Sequence, residues 1–267
     1  MNILRKILQK IGEFKKIFIE KALIISYKKV DHAPNVKAGY VDIEVVANRY
    51  ESSLKSISPS QLMKDLSVFD NFYFLEQECK EYAEKLQGNS KLLDLGCGSG
   101  VYMKVFKRSG SPFEKIKYIG TEIDKRFSEM SKKYLPEGEF VTAFADEINL
   151  PDDSIDFVFC SSTLHYTLDK WKKSLEEMKR ISKKYIAITR FPVTKYNDTF
   201  YVHQTVRGLK GSENHHFIVI NRRELETYFG KLGLKILKRD YSSQEYKVEG
   251  VEEKIVLIQY LLEKNGN

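Results

Sequence analysis

Cysteine is scarce: Cys79, Cys97 and Cys160 are the only three in 267 residues, odd in number and widely separated. That pattern suits neither a disulfide framework nor a zinc cluster, so a reducing, cytoplasmic setting without a metal centre is expected. No run approaches the roughly 18 consecutive apolar residues of a membrane-spanning helix. Nor does the N-terminus show the uninterrupted apolar core and small-residue cleavage site of a secretory signal. An apolar content of 42% is that of a folded globular chain, and the length suits one large domain or a domain with an extension. Positive charge is also scarce where nucleic acid would need it. The formal net charge is +7, but eight Lys or Arg against Glu13 and Glu20 put +6 of it within residues 1–29, leaving +1 for the remainder. A body so nearly neutral lacks the broad phosphate-binding face of a DNA- or RNA-binding protein.

The basic N-terminus is amphipathic. Ile3, Ile7, Ile11, Phe14, Phe18 and Ile25 fall on one helical stripe, flanked by Leu4 and Leu8, with Arg5, Lys16 and Glu20 opposite. Such a helix docks on the protein body or another subunit, or lies on the anionic inner face of a membrane as a peripheral contact. Residues 30–57 read as a connector broken by Pro34 and Gly39, so the expected division is an extension and connector over 1–57 and a catalytic domain over 58–267. Ser58 before Pro59 predicts a helix start, with apolar residues recurring at Leu62, Leu66, Phe69, Tyr73 and Leu86 and Gly88-Asn89 as the stop.

Residues 92–100, LLDLGCGSG, are the stretch around which the rest is arranged. They read as a buried strand that ends in an acid and runs into a glycine loop, whose residues lack the Cβ that would keep a ligand at a distance. The spacing is Gly96, Gly98, Gly100; a dinucleotide fingerprint would place its last glycine at 101, which is Val. This difference points away from NAD. A short helix over 101–107 follows, its N-terminus suited to an anion. The next strand, 117–123, ends in Gly120-Thr121-Glu122-Ile123-Asp124. That puts an acid about 20 residues beyond the loop, where an adenosine ribose presents its hydroxyls. Glu122 is the favoured ligand; Asp124 is the competing one, better suited to capping the helix over 125–134. A third strand over 139–144 leads to Asp146 and Glu147, and a fourth over 155–160 runs into Ser161-Ser162-Thr163-Leu164-His165-Tyr166. A helix over 168–181 and a strand over 185–189 continue the alternation. Alternating elements of this kind predict a parallel sheet with helices on both faces and a ligand crevice at the carboxyl ends of the strands.

In order and spacing these motifs resemble those of the class I S-adenosylmethionine (SAM) dependent methyltransferases, over about residues 60–262. The resemblance implies an α/β, Rossmann-like seven-stranded sheet in the order 3-2-1-4-5-7-6, the last strand antiparallel. A helix over 222–232 and late strands near 235–239 and 254–262 would complete it. SAM is the implied cofactor and in-line methyl transfer the implied reaction, with the acceptor atom held about 3 Å from the methyl carbon. Asp94, Gly96, Cys97, Gly98 and Gly100 would surround the amino-acid end of SAM. Glu122 would take the ribose and Ile123 the adenine face. Asp146, with Glu147 beside it, would accept from the adenine amino group, the alternative being an ordinary turn acid, and Ser161 would complete the contact set. His165 occupies a segment that lies beside the reacting methyl group in this superfamily and leads as general base, against the reading of a packed histidine; His203 and His216 follow.

Residues 191–220 lack periodicity and are rich in polar and aromatic side chains. They are expected to form an acceptor-side insert, a lid or else a plain surface loop. Metal binding by His203, His215 and His216 is disfavoured because no acidic spacing accompanies them. A looser likeness over 190–228 to bacterial methyltransferases of undetermined activity hints at small-molecule or surface-polysaccharide metabolism. The chain lacks the Asn/Asp-Pro-Pro-Tyr/Phe tetrapeptide and the Pro-Cys nucleophile of nucleic-acid methylating enzymes. The expected activity is methyl transfer to an oxygen or nitrogen of a small molecule, such as a cell-envelope sugar or its precursor. The alternative is a catalytically inactive SAM-binding partner or regulatory module.

Overall fold

Alternate residues of the central strands feed two separate apolar layers, which is why both faces of the sheet carry helices. The computed structural model describes residues 24–31, 51, 54–55, 58–86, 88–208 and 211–265. Five parallel strands, β2 (Lys91–Leu95), β3 (Lys117–Glu122), β4 (Glu139–Thr142), β5 (Ile155–Ser161) and β6 (Ser182–Thr194), are joined by β9 (Leu234–Tyr246), which runs in the same direction, and by β10 (Ile255–Lys264), which runs against them. They pair in the order β4-β3-β2-β5-β6-β10-β9, with β10 antiparallel to β6. This is the expected seven-strand path. One layer packs Leu93, Leu95, Val158, Ile186 and Ile188 against Trp171, Leu175 and Met178 of α6 (Trp171–Ile181) and Leu225 and Phe229 of α7 (Arg222–Lys231). The other packs Leu92, Tyr118, Phe157 and Phe159 against Met103 and Phe106 of α4 (Tyr102–Phe106) and against Phe72 and Phe74.

The sheet holds ten strands, not seven. Strands β1 (Ile24–Val30), β7 (Phe200–Gly208) and β8 (Gly211–Asn221) form an antiparallel ribbon. It joins the central sheet where Val193 and Thr194 of β6 pair with Ile220 and Asn221. Two expectations are corrected here. Residues 191–220 continue β6 and then turn back as a hairpin, because Phe200, Val202, Phe217 and Val219 alternate and bury a third apolar cluster. Residues 24–29, assigned to the N-terminal helix, lie instead in β1, where every residue from Ile24 to Val30 pairs with β7. Tyr27 on β1 stacks at 4.4 Å on Tyr246, so cross-strand packing overrides the helical stripe there. The rest of that stripe and the connector over 32–50 lie outside the described residues. No helix among the described residues is long and apolar enough to cross a membrane.

The helix expected after Ser58 is broken into α1 (Pro59–Leu62), α2 (Leu66–Tyr73), a π-helical turn over Phe74–Glu78 and α3 (Lys80–Ala83). Ser58 does cap it, exchanging side-chain bonds with Gln61 in a capping box. Buried Asp70 anchors α2 to β9 by accepting from Ser242 Oγ (2.8 Å), Ser243 N (2.9 Å) and Ser243 Oγ (2.6 Å). The anchor brings α2 to the carboxyl ends of β2 and β5, where Asn71 meets Tyr102 and Ser161.

Candidate active site

The glycine loop is locked from both sides. Gly96, Gly98 and Gly100 have φ of 71°, 56° and 70°, a region L side chains rarely enter. At Gly96 a Cβ would also lie 2.2 Å from the Thr163 methyl group, and Thr163 Oγ1 donates to the Gly96 carbonyl at 3.2 Å. Residue 96 is thus glycine because the chain after β5 closes onto it. Across the loop, Cys97 N–H donates to the Thr121 carbonyl at 2.8 Å, and Gly98 N–H to Glu122 Oε2 at 2.9 Å.

Three acids stand at or near the carboxyl ends of three adjacent strands. Glu122, 3% exposed, also accepts from the Ile123 N–H at 2.8 Å, so two backbone donors aim its carboxylate at the loop. Asp124 instead caps α5 (Lys125–Tyr134), accepting from Arg126 N at 2.8 Å and from the Arg126 guanidinium. Asp124 thus takes the capping role expected of it, and Glu122 is the acid bonded to the glycine loop. Asp94, buried beneath the loop, accepts from Tyr118 OH at 2.6 Å. Burial drives its pKa up to about 7; the Tyr118 bond opposes the rise and the charge of Glu122 adds to it. Asp146 is buried in the turn after β4 and pairs with Lys170 at 2.9 Å, while Glu147 beside it is exposed.

The other half of the crevice is polar, aromatic and cationic. Ser161, at the end of β5, accepts through Oγ from Asn71 Nδ2 at 2.9 Å, and the same amide donates to Tyr102 OH at 3.2 Å. Asn71 Oδ1 is buried with no partner among the described residues. Ser162 has φ 52° and Arg190, at the carboxyl end of the adjacent strand segment, has φ 54°. The two are tied by Arg190 Nε donating to Ser162 Oγ at 2.8 Å, and Arg190 Nη1 donates to Gln244 Oε1 at 3.1 Å. His165 is the second residue of a 3-10 helix over Leu164–Lys170 and packs against Phe217, with ring centroids 5.4 Å apart. Its Nδ1 is buried without a partner among the described residues. Burial lowers its pKa to about 3, with the Arg190 charge contributing, so the ring is neutral at physiological pH and a weak base. His203 and His216 face each other on β7 and β8, Nδ1 to Nε2 at 2.8 Å; among the described residues no hydrogen bond or ring contact joins that pair to His165. The described residues contain no cluster able to hold a metal ion.

Residues 93–185 match the family model described as "Methyltransferase domain". A SAM-dependent methyltransferase from Clostridium acetobutylicum superposes with a TM-score of 0.55 at 16% identity, over 84% of this chain and 99% of that one. The fold is that of the class I SAM-dependent methyltransferases. A SAM-dependent methyltransferase from Methanosarcina mazei gives 0.54 at 17% identity, over 72% and 98% of the two chains. The [4+2]-cyclase SpnF gives 0.51 at 13% identity, over 71% and 81%, so related folds carry more than one chemistry. No protein of curated function matches the chain.

SAM is the cofactor named for the two solved methyltransferases. The donor set fits it: buried carboxylates at 94, 122 and 146 suit a ligand with a cationic amino-acid end, two ribose hydroxyls and an adenine amino group. The orphaned Asn71 Oδ1 adds a buried acceptor at the same end of the sheet. Of the sequence-derived residues, Asp94, Gly96, Cys97, Gly98, Gly100 and Glu122 form one hydrogen-bonded or packed unit with Thr121 and Thr163. Arg190, Asn71, Tyr102 and Gln244 were absent from the candidate set. Arg190 carried a usable signal, a cation closing the apolar strand run Tyr185-Ile186-Ala187-Ile188-Thr189 at its carboxyl end. Asn71 and Gln244 carried none, since each reaches the site only through tertiary packing.

Proposed function

We propose that the protein transfers a methyl group from SAM to an oxygen or nitrogen of a small molecule, a cell-envelope sugar or its precursor being the leading class. The observation that carries this reading is the contact between Thr163 and Gly96, which sets the polar half of the crevice directly against the glycine loop. Bound SAM supplies an already activated methyl group, so the chain's own task is chiefly to hold the acceptor in place. Glu122, Asp94 and Asp146 would hold the cofactor. His165, neutral and with Nδ1 unpartnered, would hydrogen-bond an acceptor hydroxyl and orient it; a ring with a pKa of about 3 contributes little as a proton acceptor. The near-neutral body supports a small acceptor over nucleic acid.

Incubation of the full-length chain with methyl-labelled SAM and a panel of cell-envelope sugar precursors tests the reading. Label is expected in a small-molecule product. Label found only in RNA, DNA or protein would replace the acceptor class, and SAM bound without transfer to any acceptor would favour a binding module.

A further inference from the structure

Arg190 is the cation of this crevice, and its surroundings are unusual. Its guanidinium has five N–H donors. One goes to Ser162 and one to Gln244, both uncharged, which leaves three without a protein acceptor among the described residues. No carboxylate pairs with it there, although it is only partly exposed. Partly buried charges are ordinarily paired, because removal from water is costly. The backbone is also held out of its relaxed region at both linked positions, Ser162 with φ 52° and Arg190 with φ 54°. Left-handed non-glycine residues cost roughly 1–3 kcal/mol each and persist where the surrounding structure fixes them. Here the fixing contacts are visible: Ser162 N–H donates to the Thr189 carbonyl at 3.2 Å, and Arg190 Nε to Ser162 Oγ.

The location is equally specific. Ser162 precedes Thr163, the residue closed onto Gly96, so the guanidinium stands one residue from the contact between the crevice halves. Its charge acts on both Tyr102 and His165. Gln244 follows Ser242 and Ser243 on β9, both of which are fixed to Asp70. The guanidinium is therefore oriented by two neutral partners, Ser162 just after β5 and Gln244 on β9, and its remaining donors are unspent among the described residues.

The geometry points to an acidic acceptor: Arg190 receives a carboxylate or phosphate of the methyl acceptor, with Gln244 and Ser162 as positioning residues. The inference rests on the methyltransferase reading and narrows its substrate class. Planar, fixed guanidinium donors match both oxyanions, and the remaining three N–H groups suffice for a bidentate contact.

The test uses the full-length protein saturated with S-adenosylhomocysteine, titrated with glucuronate, inorganic phosphate or glucose. One or both anions are expected to bind about tenfold or more tighter than glucose, as a charge-assisted pair implies. The two anion arms separate carboxylate from phosphate recognition. Arg190→Gln is expected to abolish the preference while S-adenosylhomocysteine still binds with unchanged affinity. Should that variant fail to fold, Gln244→Ala is expected to reduce the preference without removing it. An equal or absent response to anions and glucose overturns the inference, as does a preference that survives Arg190→Gln. If Arg190→Gln weakens SAM tenfold but leaves 5′-methylthioadenosine unaffected, Arg190 holds the cofactor's carboxylate and the inference also falls. Failure of the wild-type protein to bind S-adenosylhomocysteine would instead remove the underlying methyltransferase reading.

Discussion

The two halves of the crevice are assembled over very different distances along the chain. In the half around the glycine loop, Glu122 and Gly98 are 24 positions apart, as are Tyr118 and Asp94, all within one strand-helix-strand repeat. In the polar half, Arg190 meets Ser162 across 28 positions and Gln244 across 54, Asn71 meets Ser161 across 90, and Asp70 meets Ser242 across 172. A half-site built within one repeat leaves a fixed spacing in the sequence. One built from four distant segments leaves only residue types. The half around the glycine loop is therefore a generic unit of the fold, and the polar half is where this chain becomes particular.

The largest expected effect comes from disturbing the point where the halves meet. Gly96→Ala adds a Cβ 2.2 Å from Thr163 at a φ of +71°, combining a left-handed penalty with overpacking. A loss of about 4 kcal/mol in chemical denaturation is expected, with SAM binding lost as well. A loss under about 1 kcal/mol would mean the halves meet loosely.

Next comes Asp94, which separates the stability of the glycine-loop half from its use. Its pKa is raised from 3.8 to about 7, so between those values the native chain holds a proton that the unfolded chain has released. Native stability therefore falls as pH rises from about 4 to about 7, and the penalty is complete above 7. Asp94→Asn removes that slope. The variant is expected to be more stable than wild type at pH 8 by up to about 4 kcal/mol, yet to bind SAM more weakly. Thermal denaturation across pH checks the slope, and an unchanged profile would show that Asp94 ionises freely in the native protein.

The smallest effect sharpens the contrast between the two acids after β3. Asp124→Ala removes an N-cap and is expected to cost about 1 kcal/mol. SAM affinity should stay within about twofold, corresponding to a few tenths of a kcal/mol.

Much of the fold was legible for the same reason as the glycine-loop half. Period-two strands and helices such as the one over Lys125–Tyr134 follow from local pattern, and the late antiparallel pair falls where the family resemblance puts it. The ribbon of β1, β7 and β8 was not. Ile24–Val30 carries residues that suit either a helix or a strand, and only its pairing with β7 decides between them. Residues 191–220 looked irregular because one face of the hairpin mixes Tyr201, His203 and His216 with Ile218 while the other carries Val202, Phe217 and Val219. The burial and lowered basicity of His165 were not legible either, because Phe217, packed on its ring, and Arg190, whose charge adds to the effect, lie far along the chain.

The central claim is that the glycine loop and Glu122 form a SAM site, and calorimetric titration of the full-length chain tests it most directly. SAM is expected to bind at a single site and NAD to give no heat. Glu122→Ala is expected to weaken SAM by about 100-fold, since a buried charged acceptor is removed. Binding of NAD in place of SAM, or SAM affinity unchanged in Glu122→Ala, would contradict the account.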